Sequence, residues 1–157
     1  MLLNTKANGK VDSMTISWGS LGIEWGKPIF TAYVREGRFT MEQLRANPEF
    51  TVSVPLGEFS RRILGFCGTK SGREIDKASE LGLTLEDPSV VSVPGIKELP
   101  LILECKVVYS QAQDPSSISP ANLEEFYPQD VPGTYHGANR DLHTAFLGEI
   151  VSAYIIR

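Results

Sequence analysis

Cysteine is scarce in this chain. Cys67 and Cys105 lie far apart, without the CxxC spacing of a zinc or thioredoxin-type centre. So low a content suits a reducing, cytoplasmic setting better than a disulfide scaffold. Histidine is equally sparse: His136 and His143 have no companion ligand at a metal-binding spacing, so a structural or surface histidine is the better reading of each than a metal ligand. Positive charge is not in excess either. Fifteen Lys plus Arg stand against 19 Asp plus Glu, a formal charge of −4. That leaves no surplus for a nucleic-acid backbone or an anionic membrane. No run approaches the roughly 18 apolar residues of a membrane helix, and MLLNTKANGK lacks the apolar core and small-residue cleavage site of a signal peptide. What remains is 157 residues at 41% hydrophobic and 22% charged, the balance of one soluble globular domain.

Turn formers are abundant. Fourteen Gly and ten Pro cut the sequence into short pieces, most with period-two alternation. Strands are expected over Met1–Asn4, Met14–Trp18, Pro28–Val34, Phe50–Val54, Leu101–Tyr109 and Phe146–Ile156, six in all. In the fifth, Leu101, Leu103, Cys105, Val107 and Tyr109 share one face, and Glu104 and Lys106 mark the other. Asn8-Gly9 signals a hairpin between the first two strands.

The expected helices are short. Thr40 to Gln43 reads as a capping box, with Thr40 as N-cap and Asn47-Pro48 as the stop. Phe59, Ile63 and Phe66 suggest a second helix over 58–66. Ser71 to Glu74 repeats the capping pattern before a third, ended by Gly82. Ser119-Pro120 opens a fourth through Phe126, and the Pro/Gly-rich stretch to Gly137 reads as a long loop.

Common catalytic motifs fail on spacing. Gly68-Thr69-Lys70-Ser71 has Thr where a Walker A loop needs Gly before Lys. Gly65, Gly68 and Gly72 do not make GxGxxG, and Ser17 and Ser20 lack a GxSxG frame. Three other segments carry chemistry. MTISW, residues 14–18, sets hydroxyls and an indole at a strand end that runs into small residues. A planar ligand close to the backbone and an exposed polar strand face both fit it. Arg35 to Thr40 puts two arginines beside an expected helix N-terminus, an arrangement that favours an anion such as phosphate; solvated surface arginines beside a cap are the alternative. The glycine-punctuated stretch from Cys67 to Lys77 carries several donors into another helix start, as an anion-holding loop or a solvated one would.

Taken in order, MTISW, VREGRFT, FTVSVP, CGTKSGREIDK and RDLHTAFLGEIV resemble the flavin reductase-like family over nearly the whole chain, more narrowly its flavoredoxin-type FMN-binding split-barrel members. The resemblance implies a mainly β protein with short helices: a six-stranded antiparallel split β-barrel of Greek-key type, a single domain over 1–157, and a homodimer with FMN near the subunit interface. It implies hydride transfer from NADH or NADPH to flavin, or else a flavoredoxin-like electron carrier serving a redox partner protein or monooxygenase. By position it puts Thr15, Ser17 and Trp18 beside the isoalloxazine or ribityl chain, and Arg35, Arg38 and Thr40 at the phosphate. Cys67, Gly68, Ser71, Gly72 and Lys77 then line the rest. His143 falls where members often carry a histidine near nicotinamide and flavin, in an orienting role; a neutral core histidine is the other reading. Two departures stand out. Ser13 replaces an Asn common before the MT pair, and the chain begins almost inside its first strand. Either the natural start lies upstream of Met1 or this member dispenses with a leading segment that would contribute to the flavin pocket or dimer.

Overall fold

The computed structural model describes residues 1–133 and 139–157. Its strands are β1 (Leu2–Ala7), β2 (Lys10–Thr15), β3 (Gly19–Glu24), β4 (Lys27–Arg35), β5 (Glu49–Val54), β6 (Leu85–Glu86), β7 (Gly95–Ile96), β8 (Leu101–Ala112) and β9 (His143–Ile155). The helices are α1 (Phe39–Ala46), α2 (Arg61–Thr69), α3 (Lys77–Leu81) and α4 (Pro120–Phe126). Seven strands form one sheet in the order β2-β1-β5-β8-β9-β4-β3, and β6-β7 is a separate two-stranded ladder. Every pairing is antiparallel. Met14 of β2 and Ile16 just beyond it share one buried cluster with Phe30, Ala32 and Val34 of β4. Residues from both margins of the sheet thus meet in one core, so the sheet curls into an open barrel. Met41 and Leu44 of α1 join that cluster. A second cluster, Leu2, Ile63, Cys67, Ile96 and Leu99, seats α2 on the outer face of β1.

All six expected strands are present. The seventh, β3, comes from the small-residue stretch after Trp18, where alternation is too weak to declare a strand. β2 runs from Lys10 and ends at Thr15, so Ser17 and Trp18 lie beyond the strand that the sequence assigns them to. Register shifts between β8 and β9 skip Val151 of β9 at Glu104/Cys105 and Val108 of β8 at Val107/Tyr109, so Leu103, Cys105 and Val107 keep one face toward the core and the alternation of β8 breaks only after Val107. Glu104 is fully buried, where the pattern reads as the polar face. Its carboxylate accepts from the backbone N–H groups of Ser89, Val90 and Val91 at 2.7, 2.7 and 3.0 Å. Those bonds hold its pKa below the usual value despite burial.

Neither expected capping box forms. α1 begins two residues earlier than the pattern suggests, with Arg38 rather than Thr40 at the N-cap. Gln43 instead accepts from Thr5 Oγ1 at 2.5 Å and donates to the Lys10 carbonyl at 2.9 Å, tying α1 to the first hairpin. A tertiary partner has outcompeted the local one. α2 spans Arg61–Thr69 rather than 58–66, so Cys67 and Gly68 are helical. Ser71 opens a turn, in which Glu74 N–H donates to its carbonyl at 3.2 Å, and α3 is capped by Asp76. Gly82 ends α3 in the left-handed region, and α4 starts at Pro120, both as the sequence indicates.

Candidate functional site

Two adjoining cavities lie where the ends of β2, β4 and β9 meet α1 and the segment after α2. The larger, about 200 Å³, is lined by Met14, Thr15, Ile16, Ser17, Trp18, Tyr33, Arg35, Arg38 and His143. The smaller, about 10 Å³, has Asp12, Met14, Gly37, Arg38, Phe39, Thr40, Lys70, Ser71, Gly72, Arg73 and Lys77 in its walls. Met14 and Arg38 belong to both. Three segments that the sequence singles out separately therefore converge.

The larger cavity has an aromatic, hydroxyl-bearing wall. Thr15 Oγ1 donates to the Leu64 carbonyl at 2.6 Å, leaving its lone pairs as acceptors. Ser17 and Trp18 are exposed just past the end of β2. The Trp18 indole lies 4.8 Å from the His143 ring, tilted 36°, and meets the edge of Phe126 at 5.2 Å. His143 opens β9 opposite Arg35 of β4. Burial, reinforced by the charges of Arg35 and Arg38, lowers its pKa to about 4, so the ring is neutral near pH 7.

The two cavities are bordered by cations with different commitments, Arg35 in the larger, Arg38 in both, and Lys70, Arg73 and Lys77 in the smaller. Arg35 is largely spent: its guanidinium donates to the Asp141 and Phe126 carbonyls at 2.6 and 3.1 Å and stacks over Tyr127. Arg38 donates to the Gly68 carbonyl at 3.0 Å, bridging the start of α1 to the end of α2. Arg73 pairs with Glu42, donates to the Gly37 carbonyl at 3.1 Å and covers Phe39. The Lys77 side chain is only 3% exposed; Nζ sits 2.9 Å from Asp12 Oδ1 and donates to the Ser13 carbonyl at 2.8 Å. Lys70 is exposed, and its ammonium has no partner among the described residues. A Cβ on Gly72 would collide with the Asp12 carboxylate and fall 2.8 Å from Phe39 Cδ1, so this close approach requires glycine.

Of the residues that the sequence points to, Thr15, Ser17, Trp18, Arg35, Arg38 and His143 reach the larger cavity. Arg38, Thr40, Ser71, Gly72 and Lys77 reach the smaller. Cys67 lines neither. It is fully buried against α2's own cluster, and burial pushes its thiol up to about 11, which keeps it inert. Gly68 contributes only its carbonyl, to Arg38. Arg35 and Lys77 face the cavities but are held by internal acceptors. His136 lies outside the described residues. Tyr33, Lys70 and Arg73 were missed, although the last two sit inside CGTKSGREIDK. Among the described residues no cluster of His, Cys, Asp or Glu could hold a metal ion, and no helix is long and apolar enough to cross a membrane.

Comparison with known proteins bears on this arrangement. An uncharacterised protein of Archaeoglobus fulgidus is 32% identical over 99 residues, which are 63% of this chain and 55% of that one. The chain thus spans little more than half the length of that relative. Among solved structures, flavoredoxin from Methanosarcina acetivorans superposes with a TM-score of 0.71 at 25% identity, covering 99% of this chain and 67% of its own. Flavoredoxin of Desulfovibrio vulgaris (Miyazaki F) gives 0.71 at 21%, covering 99% and 68%. Nitrilotriacetate monooxygenase component B from Bacillus cereus gives 0.72 at 15%, again covering 99% and 68%, a likeness of fold alone. The flavin reductase like domain matches residues 1–157, and with the split-barrel sheet and the convergence of its motifs the chain belongs to the flavin reductase-like family.

Proposed function

We propose that this chain binds FMN and catalyses hydride transfer to it from NADH or NADPH. One observation carries the reading: a hydroxyl- and aromatic-walled cavity adjoins a cation-ringed one, joined at Arg38. That sequence of surfaces fits a ligand with a planar polar ring at one end and a phosphate at the other. Arg38, Lys70 and the Ser71-Gly72 turn hold the phosphate, while Arg73 and Lys77 add positive potential from within their own pairs. Thr15 and Ser17 face the ring or its ribityl chain, and Trp18 excludes water from one side. Bound flavin supplies a two-electron acceptor that takes a hydride from the nicotinamide and a proton from solvent. His143, neutral and stacked near Trp18, orients the nicotinamide.

A second copy of the chain is the proposed partner. β3 is exposed along its whole length, with Leu21 69% and Ile23 74% accessible. The apolar groove between it and β9 includes Pro28, Leu103 and Ile150.

Titration with FMN followed by anaerobic addition of NADH or NADPH tests the reading. Yellow protein that bleaches with either nucleotide supports it; protein that takes up no FMN overturns it. Arg38→Ala is expected to weaken FMN binding about tenfold, roughly 1.4 kcal/mol. The 25% identity to a flavoredoxin favours one alternative, an electron carrier. Such a protein would bind FMN, stay oxidised with both nucleotides and accept electrons from a partner redox protein.

A further inference from the structure

The neighbourhood of His143 contains a chain of hydrogen bonds whose directions follow from one donor that cannot change. The backbone N–H of His143 points at Gln113 Oε1, 3.1 Å away. A backbone N–H only donates, so the amide of Gln113 must turn its oxygen there. The same oxygen lies 2.8 Å from the Tyr127 hydroxyl, which therefore spends its single proton on Gln113. Tyr127 is also 2.9 Å from His143 Nδ1, and with its proton committed the hydroxyl can only accept. The proton between them belongs to Nδ1. The neutral ring then carries a bare lone pair on Nε2. The Gln113 N–H donating to the His143 carbonyl at 2.9 Å fixes the two residues side by side beyond the β8/β9 ladder.

We infer that Tyr127 and Gln113 are positioning residues that hold His143 in its Nδ1–H form, so that the cavity occupant meets a hydrogen-bond acceptor and must offer an N–H or O–H. The tautomer stands on this chain's own contacts. The matching of the ligand rests on the flavin reading above, where both the flavin ring and the nicotinamide carboxamide present N–H groups. The charged groups around the ring, Arg35 stacked over Tyr127 and Arg38 in the cavity wall, are cations and disfavour a second ring proton. Asp141 is engaged by Arg35 and Glu36 by Thr144, so neither carboxylate is free to draw one. Trp18 against the ring holds its plane.

Long-range proton–nitrogen correlation spectra of the ¹⁵N-labelled full chain without FMN at pH 7 test this. The His143 signals are assigned by their loss in His143→Gln. A protonated Nδ1 and unprotonated Nε2 are expected; the reverse pattern in the parent overturns the inference outright. Gln113→Leu frees the Tyr127 proton to donate to Nδ1 and is expected to reverse the tautomer, whereas Gln113→Glu keeps the acceptor and the parent pattern. A Gln113→Leu spectrum identical to the parent's refutes Gln113's part, and Tyr127→Phe, expected to give a mixed pattern, checks the same link should the leucine variant unfold. FMN is then added, followed by NAD⁺ or NADP⁺. Bound ligand that shifts Nε2 in the parent supports the donor match, and binding without a shift refutes it. Failure of FMN to bind overturns the flavin reading while the tautomer result stands.

Discussion

Two hairpins of nearly the same local design end in opposite surroundings. The β1–β2 turn places Asn8 and Gly9 at φ 51° and 76°, and the β3–β4 turn places Trp25 and Gly26 at 51° and 69°. Both are two-residue loops whose central residues have positive φ, the geometry that matches strand twist. The first hairpin is buried and cross-linked. Asn4 Nδ2 donates to Thr51 and Ser53 hydroxyls at 3.0 and 2.8 Å, Ser13 Oγ donates back to Asn4 at 2.7 Å, and Lys77 reaches the Ser13 carbonyl. The second has β3 wholly exposed. The turn specifies the ribbon, and what packs on it specifies whether its side chains are core or surface. Changes in the first hairpin should therefore act on stability, and changes in the second on what the chain associates with.

The largest effect is expected where the buried hairpin meets α3. Lys77→Met strips the partner from Asp12, whose carboxyl burial already pushes above its ordinary pKa. Breaking such a pair costs about 3–5 kcal/mol, readable as a lower urea midpoint. Replacing both residues, Asp12→Leu with Lys77→Met, is expected to recover most of that loss. A double variant no better than the single one would move the cause from charge to packing.

Next comes a pH effect at β4, the strand shared by the exposed hairpin and the site. His143, opposite Arg35 at the inner end of β4, has its pKa lowered from 6.5 to about 4. Between those values the unfolded chain binds more protons than the folded one, so stability falls as pH drops from 6.5 toward 4. The full span corresponds to about 3 kcal/mol. Urea unfolding at pH 7 and pH 4.5 reads it. His143→Gln should flatten the part of the slope between those pH values; an unchanged slope would assign it to other groups.

These contrasts also mark what the sequence discloses. Asn8-Gly9, Gly82 and Ser119-Pro120 are legible because each is a local backbone requirement met by the residue itself. The site motifs are legible as an ordered set, and most of their residues converge. What stays hidden depends on distant partners. Gln43 looks like a capping residue until Thr5 and Lys10 arrive beside it, and Glu104 looks solvent-facing until residues 89–91 fold over it. Lys77 reads as a cofactor ligand because nothing near it in sequence announces Asp12. Tyr127 falls in a stretch read as loop, with no period to mark it as the partner of His143.

The turn residues give a smaller test. An aromatic residue pays for the left-handed region that Asn enters readily, a difference of about 1 kcal/mol. Asn8→Trp should cost about that much by thermal or urea unfolding. Trp25→Asn should gain less, about 0.5 kcal/mol, because it forfeits the edge contact of Trp25 with Tyr109 at 6.3 Å. Equal costs for both substitutions would mean that the second turn is held by its surroundings rather than by its own dihedrals.

The smallest change in intrinsic stability is expected from Leu21→Glu with Ile23→Glu, and it separates the hairpins most cleanly. Both side chains project from a strand that is exposed along its whole length, so the substitutions should move the stability of an isolated protomer by no more than about 0.5 kcal/mol. If a second copy covers this face, the parent's unfolding midpoint rises with protein concentration and the doubly charged variant's does not. Sedimentation or size-exclusion mass would report the matching shift to the monomer. A parent that is monomeric at all concentrations would overturn the dimer reading. A variant as dimeric as the parent would place the contact elsewhere, leaving the apolar groove between β3 and β9 without that partner.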